Sequence, residues 1–351
     1  MKDIARIAGT SLSTVSRSLN DHPSISAATR DRIKTIAREH EFEVNMSARS
    51  LATSRNCTIG VIYPESLDNE DNFYYAGMVL RNIREILEEA GLDPIVTFTR
   101  NRSTGESNIR RLINQRKIDG MLLIQPEFEP ADYAAIEKSH IPFVLLHFLP
   151  YGFESRNVNY VYADHEYGGY LATQHLIRHG CRRILCVTET ERQFKERTAG
   201  YRRAHAEAGL PLHEQLVYSC DATYSAGKQV VQHFRHQLEH IDGIFVQADI
   251  TAFGIMEAFA SLNIEFPRDI LLVGYDDIRM SSLISPQLTT VHQPHKEIVR
   301  TACTRLVELL EGEDKQKVLQ KILQPYLVVR DTAPAVSPAT TDHTTRGFHA
   351  K

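Results

Sequence analysis

The order of patterns along the chain predicts a small all-α head joined to a larger α/β body of two lobes, each on a doubly wound parallel sheet. Three observations point there. The first forty or so residues carry apolar side chains at helical spacing and no strand-like run. From Thr58 onward, short apolar runs alternate with segments whose apolar residues recur three and four apart. This is the rhythm of right-handed crossovers onto a parallel sheet covered on both faces. Near Asn157 the rhythm starts again, so the body holds two successive rounds.

In the head, Ile4, Ile7 and Ala8 give a first helix one apolar stripe. Gly9 ends it, because glycine reaches a left-handed C-cap without steric cost. Ser11 stands as the N-cap of a second helix whose buried side is Val15 and Leu19. Leu12, Ser13, Ser16 and Arg17 are left facing outward or near the edge. A helix ending at glycine, a tight turn and a second helix with small polar residues and an arginine form the helix-turn-helix layout. A plain helical hairpin has the same outline, but the chain continues. Ser26 caps a third helix in which Ile33, Ile36 and Ala37 are the buried stripe, enough to close a three-helix unit. Arg30, Arg32, Lys34 and Arg38 crowd its exposed side.

After these helices comes Asn45-Met46-Ser47-Ala48-Arg49-Ser50-Leu51-Ala52-Thr53. Here the chain resembles the LacI/GalR family of bacterial transcription regulators. Ala8 to Asn20, with its Thr14-Val15-Ser16-Arg17 core, is similar to that family's recognition helix. Ala48-Arg49-Ser50-Leu51 is similar to its hinge helix, and the similarity runs on to about Asp331. The resemblance implies a helix-turn-helix DNA-binding domain over 1–44, a hinge helix and linker over 45–56, and a periplasmic-binding-protein-like, two-lobed effector-binding and dimerisation domain over 57–333. A tail over 334–351, rich in Pro, Ala, Thr and Ser, is expected to be disordered. It shows no leucine heptads, which favours a dimer over a tetramer.

The resemblance also assigns DNA contacts. Leu12, Ser13 and Arg17 fall on the positions that govern operator choice, with Arg17 able to offer a bidentate pair to guanine and Leu12 an apolar contact to a thymine methyl. Ser11, Thr14 and Ser16 can serve phosphates. Asn45, Ala48 and Leu51 complete the DNA-binding set. An apolar side chain gains little by standing exposed in a short linker helix. Leu51 is therefore expected to wedge between base steps in the minor groove, exchanging unstacking energy for wider contact.

Charge is placed unevenly over the 351 residues: the net value is −4, yet residues 1–56 hold nine Lys/Arg against six Asp/Glu, leaving −7 for the rest. A basic head on an acidic body suits a polyanion at one end only. The five cysteines are odd in number and form no Cys-x-x-Cys, as expected of reduced thiols in a bacterial cytoplasm, near the nucleoid for a DNA-binding protein. The polar N-terminus has no apolar signal-peptide core, and no apolar run approaches a membrane span, so no membrane partner is expected.

Through the body the expected strands are Thr58–Tyr63, Pro94–Phe98, Gly120–Ile124 and Phe143–Phe148 in the first round. The second round has Val158–Tyr162, Arg183–Val187, Gly243–Val246 and Ile270–Val273. Helices are expected over a segment with Val79, Ile83, Ile86, Leu87 and Ala90 on one side, over Thr104–Lys117 and Pro130–His140, then over His165–His179, Phe194–Ala208, Ser225–Leu238, Thr251–Leu262 and His295–Glu311. Leu288–Pro294 is expected as a turn, and a last strand near Ile322–Val329. Two similar lobes imply a ligand crevice at the carboxyl ends of their strands. The resemblance adds that segments after about 290 partly return to the first lobe.

Asp276, just after a strand in Val273-Gly274-Tyr275-Asp276-Asp277, matches the family's acceptor for ligand hydroxyls or ring nitrogens. Arg197 matches its ligand-binding arginine, and Tyr74 and Tyr75 its aromatic contacts. Asp164 and Phe148 are candidates from the lobe junction. One carboxylate, one guanidinium and aromatic faces suit a polyhydroxylated ligand in a cleft. After Cys220-Asp221 the family often has a large aromatic platform, whereas Ala222 stands here, which favours a sugar or glycoside over a purine. No cofactor, catalytic residue or metal site is expected: there is no P-loop, Rossmann fingerprint or nucleophile elbow. His175 and His179, four apart, lack a third ligand and are expected to be solvated, and Asp249 to cap its helix.

The expected function is therefore a non-enzymatic, sequence-specific transcriptional regulator, a repressor by family habit. Its partners would be a palindromic double-stranded operator, a second copy of itself and a small effector. The alternative is a sugar-binding protein without a DNA role. That class calls for a signal peptide and no basic helical head, the reverse of what the sequence carries.

Overall fold

The structure, a computed structural model, describes residues 1–19, 22–40, 42, 55–124, 129–150, 152–153, 156–312 and 317–336. Asn45, Ala48, Leu51 and most of the expected tail lie outside the described residues. The chain divides into two compact units, Met1–Thr58 and Ile59–Lys351.

The first unit is trihelical: α1 (Lys2–Ile7), α2 (Leu12–Leu19) and α3 (Ala27–Glu39). Gly9 takes φ +60°, the left-handed geometry that ends α1. Ser11 and Ser26 cap the next two helices, their hydroxyls accepting from the amides of Thr14 at 3.1 Å and Thr29 at 3.3 Å. Ile4, Ala5, Ala8, Val15 and Ile33 close the core, with Leu19 and Ile36 packed at its edge. Ile7 departs from expectation at 41% exposed. With about 100° per residue it lies roughly 100° from the centre of the Ile4/Ala5/Ala8 face. Arg32 Nη2 donates to the Ala8 carbonyl at 3.1 Å, giving a partner to a helix-end group and tying α3 to α1.

The second unit holds twelve strands among its described residues: β1 (Thr58–Tyr63), β2 (Asp93–Phe98), β3 (Gly120–Ile124), β4 (Phe143–His147), β5 (Tyr160–Ala163), β6 (Ile184–Thr188), β7 (Val217–Ser219), β8 (Gly243–Val246), β9 (Leu271–Asp276), β10 (Thr289–His292), β11 (Gln320–Leu323) and β12 (Tyr326–Val328). Its helices are α4 (Phe73–Glu89), α5 (Asn108–Asn114), α6 (Pro130–Ser139), α7 (His165–Arg178), α8 (Arg192–Glu207), α9 (Tyr224–Phe234), α10 (Asp249–Ser261) and α11 (His295–Glu311). Two six-stranded sheets result, with orders β11-β5-β4-β3-β1-β2 and β12-β10-β9-β8-β6-β7. The registered pairs are parallel, as for Ile59 with Gly120, except antiparallel β10 and β12. Each sheet is buried on both faces, so its strands read as continuous apolar runs such as Gly120–Ile124.

The chain passes between the lobes three times: from Ala163 to His165, from His292 to His295, and from Leu323 to Tyr326. The return to the first lobe is real: Ile298, Val299, Ala302 and Leu306 of α11 pack into the core of β1, β3, β4 and β5. Three expectations change. Leu288–Pro294 contains β10, because Thr289, Thr290 and Val291 are buried between β9 and β12. The expected last strand is two, β11 and β12, split between the sheets by the third crossing. The helix expected over Thr104–Lys117 begins only at Asn108, where the Ser107 hydroxyl accepts from the Arg110 amide at 3.1 Å.

Among the described residues no helix is long and apolar enough to cross a membrane. All five cysteines are free, and Cys181, Cys186 and Cys303 are buried. His175 and His179 are not solvated as expected. Their Nε2 atoms hydrogen-bond the carbonyls of Ala333 at 2.9 Å and Pro334 at 2.7 Å, pinning the last described segment to α7.

Candidate effector cleft and nucleic-acid interface

On the head, α2 presents its outer face to solvent: Ser11, Leu12, Ser13 and Arg17 are exposed, Leu12 at 44%. Thr14 Oγ1 is hydrogen-bonded to Ser11 Oγ at 2.9 Å, and Ser16 is half-buried. Val15 and Ser18 point inward, so the burial pattern along α2 leaves one continuous polar strip with an apolar tip at Leu12.

In the body, a cleft of about 260 Å³ opens between the lobes at the carboxyl ends of their strands. The first lobe supplies the turn after β1, with Asn69, Asp71 and Asn72, and Tyr75 on α4. The second supplies the exits of β6, β7, β8 and β9.

Arg197 is its fixed point. The residue is 3% exposed and lies on α8, which approaches α7 so closely that a Cβ added at Gly169 would sit 2.0 Å from the Arg197 carbonyl. Its guanidinium lies over the Tyr275 ring at 3.7 Å and the Phe194 ring at 4.9 Å. Nη1 donates to the Gln247 carbonyl, and Nη2 lies 3.7 Å from Asp276 Oδ1. Burial raises the Asp276 carboxyl to about 6, while Arg197 and a 2.7 Å hydrogen bond from Gln293 Nε2 pull it back down.

Asp276 and Asp277 take φ +116° and +52°, a left-handed pair at the end of β9 that non-glycine residues adopt only when held. The hold is visible. Arg330 Nη2 and His292 Nδ1 contact the Asp277 carboxylate at 2.6 and 2.8 Å, and these bonds keep it below the usual carboxylate range despite burial. Asp249 is the first residue of α10 rather than its cap. Its buried carboxylate accepts from Ser281 and Thr290 hydroxyls at 2.6 Å each and from the Ile278 amide at 3.1 Å, which braces the β8, β9 and β10 exits together.

Of the effector residues expected from sequence, Tyr75, Arg197 and Asp276 meet in the cleft, and Ala222 lies on its wall. Tyr74 does not: one residue further round α4, it is 57% exposed and borders a separate apolar groove. Phe148 is buried away from the cleft lining. Asp164 is the N-cap of α7, accepting from the Tyr167 amide at 2.9 Å, and Gln324 of the third crossing lies 3.4 Å from its other oxygen. Glu189, Glu191, Gln193 and Asp221 are cleft residues not anticipated individually. The strand-end rule applied to Thr188 and Ser219 would have found them.

Behind Tyr75 sits a group of buried histidines. The Tyr75 ring stands edge-on to His147 and His295 at 5.8 and 5.4 Å, and those two rings are 5.3 Å apart. His165 reaches the His147 carbonyl at 2.9 Å and the Tyr275 hydroxyl at 3.3 Å. His165 and His295 stand at the ends of two of the three lobe crossings, so the group marks the hinge. Among the described residues no set of three His, Cys, Asp or Glu is placed to hold a metal ion.

Comparison with known proteins bears on both parts. Residues 1–45 match the profile of bacterial regulatory proteins of the lacI family, and residues 173–333 match that of the periplasmic binding protein-like domain. The transcriptional regulator CelR of Thermobifida fusca is 30% identical over 334 residues, which cover 94% of this chain and 96% of the relative. The chain belongs to the lacI family. The transcriptional repressor PurR of Aliivibrio fischeri (strain MJ11) is 27% identical, with 95% of this chain and 97% of the relative covered. Among solved structures, the lac repressor dimer bound to operator and the anti-inducer ONPF aligns with TM-score 0.75 at 25% identity, covering 95% of this chain and 98% of that one. A CelR–cellobiose complex aligns with TM-score 0.70 at 26% identity, covering 94% and 98%. As a member of this family the protein is a DNA-binding transcriptional regulator whose body has the two-lobed, parallel-sheet architecture of its relatives.

Proposed function

We propose that the protein is a cytoplasmic, non-enzymatic, homodimeric repressor of transcription, and that a small sugar held between the lobes sets its affinity for a palindromic operator. The observation that carries the effector reading is the Arg197–Asp276 pair. A guanidinium and a carboxylate, both largely buried, stand 3.7 Å apart at a cleft wall rather than in a closed salt bridge. Each thus keeps hydrogen-bonding capacity for a ring oxygen or hydroxyl. The cleft is slightly smaller than ordinary ligand pockets, which suits a single sugar ring. The cellobiose bound by CelR supports the class. Ala222 on the cleft wall offers no aromatic platform for a purine.

For the DNA side, Leu12, Ser13 and Arg17 are proposed to read base edges in the major groove, Ser11, Thr14 and Ser16 to meet phosphates, and Asn45, Ala48 and Leu51 to act at the minor groove. For the dimer, the support is an apolar groove of about 780 Å³ with Phe253, Met256, Phe266, Met280 and Ile284 on its walls and Leu283, 65% exposed, nearby. Patches of this kind on a soluble protein mark association surfaces. Ligand acts through its different affinity for the open and closed cleft, which shifts the population of DNA-competent dimers.

The test is selection of bound duplexes from a random library, followed by thermal-shift screening of monosaccharides, disaccharides and purine bases. A palindromic consensus whose capture responds to a sugar supports the proposal. Enrichment of no sequence removes the DNA reading, and stabilisation by a purine base alone removes the sugar.

A further inference from the structure

The three imidazoles behind Tyr75 are buried almost completely: His147 is 1% exposed, His165 2% and His295 3%. His147 ends β4 with φ +71°, a left-handed geometry that a non-glycine residue keeps only when held. His165 opens α7 after the first lobe crossing, and His295 opens α11 after the second. His165 also joins the lobes. A carbonyl only accepts, so its Nε2 donates to the His147 carbonyl of the first lobe. Its Nδ1 then keeps the lone pair that accepts from the Tyr275 hydroxyl of the second. His147 and His295 differ from it: all four of their ring nitrogens lack a hydrogen-bond partner. So many unsatisfied buried polar atoms in one place are rare in a folded protein.

The groups around these rings offer an added proton no carboxylate to pair with. Asp276 Oδ1 takes Gln293 Nε2 and faces Arg197, Asp277 is held by Arg330 and His292, and Asp164 caps α7. The Asp276 backbone favours a charge on His295 but completes no hydrogen bond to it. Tyr75 of α4 stands edge-on to His147 and His295, and Tyr162 of β5 stacks on His165 at 6.5 Å. Arg197 and Arg192 of α8 oppose a charge on His165, as do Arg197 and His292 of β10 for His295. Burial first, and these neighbours second, hold all three rings below their ordinary 6.5.

We propose that these histidines make the hinge an acid sensor: neutral and dry while the cleft is closed, they take up protons when the lobes part and water reaches them, so falling pH opens the body. The device stands whichever effector the cleft holds. Two charged rings 5.3 Å apart in a dry site repel, whereas water in the open state serves every orphaned nitrogen. Protonating His165 turns its Nδ1 into a donor and ends its acceptance from Tyr275, which loosens the tie between the lobes. The closed state binds fewer protons. Its advantage is therefore complete above pH 6.5 and is lost as pH falls below that, by up to about tenfold per histidine at pH 5.5. Asp276 pulls the other way: burial raises its carboxyl to about 6, so its protonation favours closure, by less than one histidine's share. His292 is already paired with the Asp277 carboxylate, and its charging needs no opening.

The test is amide hydrogen exchange of the full-length chain, without effector or DNA, read by mass spectrometry at pH 7.5 and 5.5 and corrected for the intrinsic pH dependence of exchange. Protection in peptides spanning the first two crossings, 163–168 and 292–299, is expected to fall about a hundredfold at the lower pH. The buried core of α10 should keep its protection. His295→Phe fills similar space without orphaned nitrogens, so it should fold and remove about tenfold of that fall. In the double variant His147→Gln, His295→Phe less than about tenfold should remain, the share of His165. Wild-type crossings whose protection is the same at both pH values overturn the sensor. So does a fall of full wild-type size in either variant, which would assign the titration to other groups, and so does an equal fall in α10, which would mean general loosening rather than opening at the hinge.

Discussion

The two lobes of the body share a strand order yet are built to different tolerances. In the second lobe, helices α7 and α8 meet backbone to backbone at glycines: a Cβ at Gly200 would lie 1.9 Å from the Glu166 carbonyl, and one at Gly169 2.0 Å from that of Arg197. Helices α9 and α10 repeat the arrangement, with Gly227 and Gly254 reaching within 2.1 and 1.9 Å of opposing carbonyls. In the first lobe Gly77 on α4 has nothing within 4 Å of its would-be Cβ. The cleft inherits the contrast. From the second lobe come Arg197, Gln193 and Asp276 on clamped elements, while the first lobe offers short polar side chains on the turn after β1. The second lobe thus presents its cleft residues from tightly clamped helices, and the first from a turn with no such clamp on α4.

The contrast breaks first at the glycines. Gly200→Ala places a methyl against a carbonyl that cannot withdraw, so it should cost more than about 3 kcal/mol, beyond ordinary overpacking. Gly77→Ala should be neutral or stabilise by up to about 1 kcal/mol through helix propensity. Urea unfolding of both variants gives the comparison, and similar costs would erase the difference between the lobes.

Arg197→Met removes a buried cation and leaves Asp276 uncompensated, a loss of about 3 kcal/mol on the usual scale for breaking a buried pair. It should also abolish the sugar response while operator binding persists at temperatures where the body is folded. Asn72→Ala in the first-lobe half removes a half-buried amide that donates to the Ser66 carbonyl at 3.2 Å, so it should cost about 1 kcal/mol, and weaken the effector only a few-fold. Calorimetry on the two variants sharpens the distinction between a clamped and an unclamped wall.

The hinge between the lobes titrates. Burial holds His147 and His165 down to about 3, and His295 well below its ordinary 6.5. The unfolded chain therefore takes up protons first as pH falls. The stability from keeping these rings neutral is complete above pH 6.5 and is lost progressively between 6.5 and about 3, on the order of 2 kcal/mol per histidine by pH 5. His147→Gln should flatten that slope in a pH series of melting temperatures; a slope identical to wild type would place the titration elsewhere. In the head, Ser11→Ala should cost about 1 kcal/mol by removing the α2 cap, without moving the body's melting transition.

What the sequence made legible follows from how local each determinant is. The caps at Ser11 and Ser26 and the left-handed Gly9 are decided within one turn of helix, and the structure places them as the sequence indicates. The central strands such as β1 and β3 were readable because both their faces are buried and each is an unbroken apolar run, whereas the short, half-exposed edge strand β7 was not anticipated. Thr289-Thr290-Val291 was missed because it is short and polar by composition, and only the sheet around it makes it a strand. Tyr74 and Tyr75 could not be separated by type, since only the rotation of α4 sends one to the cleft and the other to the outer groove. Gln193 lies in the first turn of α8 and Asp221 in the loop after β7, and their placement at the cleft depends on strands folding together over distances no local pattern records.

The measurement that tests the account most directly is fluorescence anisotropy of the selected palindromic duplex, with and without the bound sugar, for wild type and Asp276→Ala in parallel. Wild type should prefer the duplex over random competitor by at least about a thousandfold and change its affinity on adding sugar, while the variant should keep the preference and lose the change. No preference by wild type, or an undiminished sugar response in the variant, would contradict it.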